Sequence, residues 1–392
     1  MRLIKNLIFL FLLLFLSSTV FTPTAFASDK PVWTIDYKKL NLPEGRPVSI
    51  SKYDKTDPGF YVDFTPDNRI LVSFLQYSTQ TELVTKDTSK KFNFFFVVLL
   101  LSRENGELIR RVEWPVGELT IGQRIIYGSR IYPLPSGGYV GIIDRHLQAL
   151  DSSFNVIYSR VLDALESGMY EITVPLSDKY FSLNRRYYMF ESVSEIIDSS
   201  TFEIVERFDA PDFRIVDIWE NQLLAITKSE NGNVTIIKGE IGGDWTILIQ
   251  DLSTKHGEGA RYVDTKFIYN GTIVVSGDNG EPLNRKGFWF TIEDGKRGDL
   301  VFPGIGPFKP SRKTPIIATK ESHKSWFRRM FDLFAKNSIK AYDVSTRQAL
   351  LATPKYTDIE DFAISPDGDG ILLMRKKKME FYSVNSKEDK KK

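Results

Sequence analysis

Three stretches of the sequence hold side chains that could do chemistry. Asp367-Gly368-Asp369-Gly370 sets two carboxylates two residues apart, as a calcium loop does. No bidentate Glu follows at the position such a loop needs, and a tight turn requires the same residues, so no metal is expected. The histidines are His146, His256 and His323, and none lies in a His-Glu-x-x-His spacing. The chain has no Gly-x-Ser-x-Gly elbow and no phosphate-binding glycine loop. A nucleophile, a base and an orienting group therefore cannot be assembled, so no catalytic residue and no cofactor is assigned. The sequence weighs against an enzyme without excluding one.

The third stretch, Lys324 to Lys336, reads as a short amphipathic helix. Trp326, Phe327, Met330, Phe331 and Phe334 fall at i, i+1, i+4, i+5 and i+8, which places them on one face. Between Lys309 and Lys336 eight Lys/Arg stand against Glu321 and Asp332. Lys324, Trp326, Phe327, Arg328, Arg329 and Phe331 form a candidate surface for a protein partner or for peripheral contact with an anionic membrane. The competing reading packs the aromatics against the parent domain, as inserted helices usually do.

The rest of the chain must position these groups. The formal net charge is +2, from 52 basic and 50 acidic residues, and Arg2 and Lys5 carry all of it. That balance argues against nucleic acid as a partner. Residues 1–27 read as a secretory signal peptide: a basic start, the apolar run Leu7 to Leu16, and Ala25-Phe26-Ala27 as a small-x-small site. Cleavage after Ala27 and export to the periplasm or the extracellular space are expected. The sequence has no cysteine, so disulfides and thiolate metal sites are excluded.

Phe362 to Val384 sets the pattern for the remainder: an apolar strand, the turn Ser365-Pro366-Asp367-Gly368, the apolar strand Ile371 to Met374, a basic turn and an alternating strand. Val62 to Val72 repeats it around Thr65-Pro66-Asp67-Asn68, and Ile131 to Val140 around Pro133 to Gly138. Looser copies centre on Ser177-Asp178, Glu220-Asn221 and Asn270-Gly271. A second ladder of hairpins turns at Glu104-Asn105-Gly106, Ser152-Ser153, Ser199-Ser200, Gly242-Gly243, Asp294-Gly295 and Ser345-Thr346. Their spacing, about 40 to 55 residues, is that of propeller blades.

The expected fold is all-β: a single β-propeller over residues 28–384, of about seven four-stranded blades, without an internal linker. The last blade lacks a fourth strand in sequence. Val32 to Tyr37 is expected to pair with Met379 to Val384 and close the ring, removing exposed edges. Phe92 to Leu101 reads as a strand buried on both faces. Leu162 to Met169 could form one helical turn. Residues 303–337 keep the blade spacing with little strand signal and read as an insert, in which Ile316-Ile317-Ala318 is the candidate inner strand. Residues 385–392 form a charged, disordered tail.

With its repeats assembled, the chain resembles the WD40/YVTN-like superfamily of exported bacterial β-propellers. The resemblance rests on Thr65 to Asn68, Ser365 to Gly368 and hairpins such as Ala341 to Thr346; the Trp-Asp and Gly-His signatures of eukaryotic WD40 blades are absent. Ser276-Gly277-Asp278-Asn279-Gly280 is similar to the opening of the aspartate box of sialidase-like propellers, but Glu281-Pro282-Leu283 replaces its Thr-Trp part, and the stretch is read as a hairpin turn. The superfamily resemblance implies a ring with a central channel and a binding role. The expectation is a monomeric, non-catalytic scaffold holding a protein or small-molecule partner on its loop face or channel mouth. The alternatives are a propeller enzyme (glycosidase, lyase or quinone-dependent oxidoreductase) and a membrane-surface accessory protein using residues 324–336.

Overall fold

The computed structural model describes residues 30–40, 47–48, 60–77, 91–120, 130–143, 145–163, 169–174, 179–186, 192–210, 213–228, 233–252, 263–278, 287–300, 302, 307–323 and 336–383. These residues form seven antiparallel sheets that follow one another along the chain. The first strands of successive sheets meet at six of the seven junctions, and the second and third sheets share an apolar cluster, so the sheets are the blades of a closed ring with those strands innermost. Among the described residues no α-helix occurs.

The first blade begins at Phe60–Phe64 and runs through Ile70–Tyr77 and Lys91–Leu101 to Leu108–Thr120, with Pro47–Val48 added beside Ile70–Tyr77. The second to fifth blades begin at Arg130–Pro133, Met169–Thr173, Arg214–Trp219 and Val263–Phe267. The seventh blade is Ile359–Ile364, Gly370–Arg375 and Lys378–Ser383, and its fourth strand is Trp33–Asp36. The pairing is antiparallel, with Trp33 opposite Phe381 and Asp36 opposite Lys378, so the N-terminal strand closes the ring, as the missing fourth strand of the last blade led one to expect.

The sixth blade differs from the expectation of an insert. Phe308–Pro310 is its innermost strand, Ile316–His323 its second and Lys336–Asp343 its third. Its polarity hid it: Lys320 reaches the carbonyl of Ile359 on the seventh blade, and Glu321 pairs with Lys340 on the neighbouring strand. Ile316 to Ala318 thus opens the second strand rather than the inner one, and Lys336 is strand. The remaining positions expected to be helical, 324–335, lie outside the described residues, as do residues 1–27, read as a signal peptide, residues 385–392, and 164–168 between Leu162 and Met169.

Local chemistry explains the turns. In the first blade Asn68 adopts φ 68° and its amide bonds the Thr65 carbonyl; in the seventh, Gly368 adopts φ 74° and bonds Ser365 in the same way. The two copies are neighbours across the closure, and Asn68 Nδ2 donates to Asp367 Oδ2 at 3.0 Å. The outer hairpins share a device of their own. Asp151, Asp198 and Asp343 each accept, through Oδ1, the amides two and then three or four residues ahead, pinning the reversal.

The core is divided by the ring. Seven clusters of buried apolar side chains lie one at each blade–blade interface. Val97, Leu99 and Leu101 face the seventh blade, while Phe96, Val98 and Leu100 on the same strand face the second. That is why the strand is apolar without alternation: both faces are covered. Each such side chain contributes about 1.5–3 kcal/mol on burial. Polar links across the closure add less. Arg103 meets Asp369 at 2.5 Å with its guanidinium over the Phe381 ring. Because Asp369 is half exposed, Arg103→Ala is expected to cost about 1 kcal/mol or less by urea unfolding, and a loss of several would make the link a main support of the closure.

Candidate functional site

The centre of the ring is lined by polar side chains of the innermost strands. An aspartate one position before an apolar residue or a threonine recurs in four of these strands, at Asp63, Asp217, Asp264 and Asp361. Three of them reach sideways to the next blade's backbone: Asp217 Oδ2 accepts the Phe267 amide at 2.8 Å, Asp264 that of Phe308 at 3.2 Å, and Asp361 that of Val62 at 3.0 Å. Lys266 donates to the Phe308 carbonyl, and Asn184 to that of Ile215. This recurring position could have been read from the sequence beside the turns. Apolar periodicity hides it, because the carboxylate's partner is a backbone group.

Between the sixth, seventh, first and second blades these contacts become a cluster. Lys309 Nζ lies 3.0 Å from Asp361 Oδ1 and donates to the Val62 carbonyl, with its charge over the rings of Tyr61 and Phe362. Tyr61 Oη donates to Asp63 Oδ2 at 2.8 Å, and burial together with that carboxylate pushes the phenol well above its ordinary range. The Tyr61 and Tyr132 rings are 4.7 Å apart. Arg312, on the sixth blade, donates to the Pro133 carbonyl of the second at 3.3 Å and stands 3.7 Å from Asp63. Only a side chain crossing the centre can span those blades, so the cluster partly fills the channel at the turn end. Its carboxylates and its amine hold one another and the backbone.

A second polar site is open. A cavity of about 240 Å³ lies between the outermost strand of the second blade, Val156–Val161, and the third blade's strands Tyr180–Arg186, Ser192–Asp198 and Ile204–Asp209. Arg160 from one blade and Glu195 from the next meet at 2.6 Å, and Arg207 stands 3.8 Å from the same carboxylate. Arg185 pairs with Asp163 at 3.1 Å. Leu162, Leu183, Val193 and Tyr170 give the cavity an apolar side. It went unread in sequence because strands far apart in the chain supply its arginines.

The residues singled out from sequence fall elsewhere. Lys324, Trp326, Phe327, Arg328, Arg329 and Phe331 lie outside the described residues, and so does His256. His146 is in the third strand of the second blade and His323 ends the second strand of the sixth. The Asp367 carboxylate is engaged by Asn68 and Lys313, and that of Asp369 by Arg103 and Ser365, so the turn uses both. Among the described residues no group of three or more His, Cys, Asp or Glu is arranged to hold a metal. Ser276 to Asp278 end the strand Ile273–Asp278 rather than forming the turn; Asn279 and Gly280 lie outside the described residues.

No protein-family model matches the chain, and none of the curated proteins compared with it matches either. Solved structures do match in fold. The WD40 domain of Neurospora crassa Pan2 is 13% identical, with a TM-score of 0.53 over 93% of this chain and 98% of that one. The β-propeller domain of the Trilobed protease from Pyrococcus furiosus is 9% identical, with a TM-score of 0.52 over 84% and 97%. The Pyrococcus horikoshii acylaminoacyl peptidase is 10% identical, with a TM-score of 0.51, covering 80% of this chain and 48% of that one. The chain is thus a seven-bladed β-propeller, and its fold is that of the WD40-like propellers. At these identities the likeness is one of fold, shared by proteases and WD40 domains alike.

Proposed function

We propose that the protein is an exported, non-catalytic binding propeller that holds a small-molecule or protein partner on its surface. The observation that carries this reading is the commitment of the central carboxylates. Asp217, Asp264 and Asp361 accept backbone amides of the next blade, and Asp63 accepts the Tyr61 hydroxyl and its own neighbour's amide. A general acid or base must be free to exchange a proton with a bound substrate. The charged groups that a ligand can exchange with lie instead at the interface of the second and third blades, in the exposed pairs Arg185–Asp163 and Arg207–Asp209.

The test pairs binding with turnover. The unfolding midpoint is measured with calcium, a quinone cofactor, neutral and acidic oligosaccharides and anionic lipid vesicles, while reducing-sugar release and dye reduction are followed in the same mixtures. A bound ligand at a hundredfold excess over its Kd stabilises by about 2.7 kcal/mol. The expected result is stabilisation by one class of ligand with no product. Product formation, or no stabilisation by any class, overturns the reading. The vesicle arm addresses Lys324, Trp326, Phe327, Arg328, Arg329 and Phe331: if these residues mediate membrane contact, Trp326→Ser with Phe331→Ser abolishes co-sedimentation.

A further inference from the structure

We infer that the cavity between the second and third blades is a binding site for a small organic anion, a carboxylate or phosphate ester carried on a compact ring or apolar body. The inference rests on the binding reading above and names the ligand class. Three guanidinium groups, from Arg160, Arg185 and Arg207, line the cavity against two carboxylates, Asp163 and Glu195. Arg207 is also held from beside the wall by Asp209, which accepts its Nε at 3.0 Å, so the charges around the cavity balance and an anion enters by exchange with an exposed carboxylate.

The two carboxylates are placed differently. Glu195 is nearly buried, its side chain 14% exposed, and it lies between Arg160 and Arg207, fixing both heads. Asp163 is 77% exposed, and its pairing with Arg185 is an exposed ion pair of the kind that contributes little. A ligand carboxylate or phosphate can replace Asp163 on Arg185 at small cost and, by displacing the equally exposed Asp209 from Arg207, present its second oxygen there. The planar fork of arginine suits that geometry, and charge-assisted bonds of this kind are the strong ones. Arg160 Nε is buried within the site without a hydrogen-bond partner, a donor that a ligand oxygen or a water carried with it could satisfy.

The remaining wall sets the ligand's body. Tyr170, Leu183 and Val193 offer a flat aromatic edge and two aliphatic side chains beside the guanidinium groups. Drug-sized ligands occupy about 300–1,000 Å³, and this cavity of about 240 Å³ is smaller, which limits the body to roughly one ring. The site straddles a blade interface, since Arg160 belongs to one blade and the other arginines to the next. Occupation would therefore stabilise that interface as well as the ligand.

The experiment is a titration at constant ionic strength with glucuronate, benzoate and phenyl phosphate, beside the neutral glucose and benzyl alcohol, read by the unfolding midpoint and by calorimetry. At least one anion is expected to raise the midpoint and bind with a measurable Kd, and its neutral counterpart to do neither. Arg207→Gln, at an exposed position, is expected to weaken binding at least about tenfold, as the loss of a charge-assisted bond does. Asp163→Asn, which removes an internal competitor, is expected to tighten it. No response to any of the anions overturns the anion site while leaving the binding reading to its own panel of ligands. A response unchanged in both Arg207→Gln and Arg185→Gln also overturns it, because the anion would then be held elsewhere.

Discussion

The double variant Trp33→Ala with Ile35→Asp is expected to lower the thermal midpoint by roughly 10 °C and to make the protein aggregate on heating. Trp33 stacks on Phe381 with ring centroids 5.7 Å apart and donates through Nε1 to the Arg103 carbonyl at 2.7 Å. Ile35 packs in the cluster between the seventh and first blades, and its side chain fills the space above Gly106. Removing the indole and placing a carboxylate in that cluster should cost about 4–5 kcal/mol together. One kcal/mol corresponds to about 2 °C in a chain of this size or somewhat less, which sets the expected shift. The strand would then fray and leave Lys378–Ser383 as an open edge, the form in which sheets recruit other chains. Calorimetry measures the shift and light scattering the aggregation. A midpoint within 2 °C of the parent protein would show that the ring holds without its fourth strand. Gly106→Val approaches the same contact from the other side. Its φ of +73° disfavours a side chain, and a Cβ there would stand 2.1 Å from Ile35 Cδ1, so a smaller loss of the same kind is expected.

The closure was legible in the sequence because it follows from a mismatch: three strands at the end of the chain and one at its start. The blades were legible because turn chemistry needs particular residues, so Thr65-Pro66-Asp67-Asn68 and Ser365-Pro366-Asp367-Gly368 advertise themselves. What stayed hidden depends on partners distant in sequence. The sixth blade's second strand, Ile316–His323, is polar in its latter half since Lys320 and Glu321 bond neighbouring strands, and periodicity cannot separate that from a loop. The cavity was hidden for the same reason. Arg160, Arg185 and Arg207 each read as an ordinary charge on a strand, and only the packing of the third blade on the second gathers them. Asp367 and Asp369 were legible as turn residues, but not their partners Asn68, Lys313, Arg103 and Ser365, which come from other parts of the chain or from across the turn.

Asp217→Asn is expected to be less stable than the parent protein at pH 4 and to close that gap, or reverse it, by pH 8. Asp217 is 5% exposed, and its two oxygens accept the amides of Ile218 at 2.9 Å and Phe267 at 2.8 Å. Burial pushes its carboxyl up to about 7, with Asp264 adding to the rise and Lys266 and the two amides opposing it. In the unfolded chain the same group titrates near its ordinary value of 3.8. Between those values the folded protein binds a proton that the unfolded chain does not, so this group's contribution to stability is complete below about pH 4 and is lost as pH rises through 7. Over about three pH units the loss amounts to about 4 kcal/mol. Asparagine does not titrate in this range, so it escapes that loss, but its Nδ2 cannot accept an amide, and one buried N–H is left unsatisfied at a cost of about 1–3 kcal/mol. At pH 4 only that cost is expressed, whereas at pH 8 it is offset by the charge that the parent protein must bury. Asp217→Ala orphans both amides and should lose about 2–6 kcal/mol at pH 4, separating the fourth and fifth blades at their innermost strands. Urea unfolding of the three proteins across pH 4 to 8 measures all of this. If the curves of the parent and Asp217→Asn run parallel, the two amides hold the carboxylate ionised throughout, and Asp217 acts as a charged staple between blades rather than a protonated one.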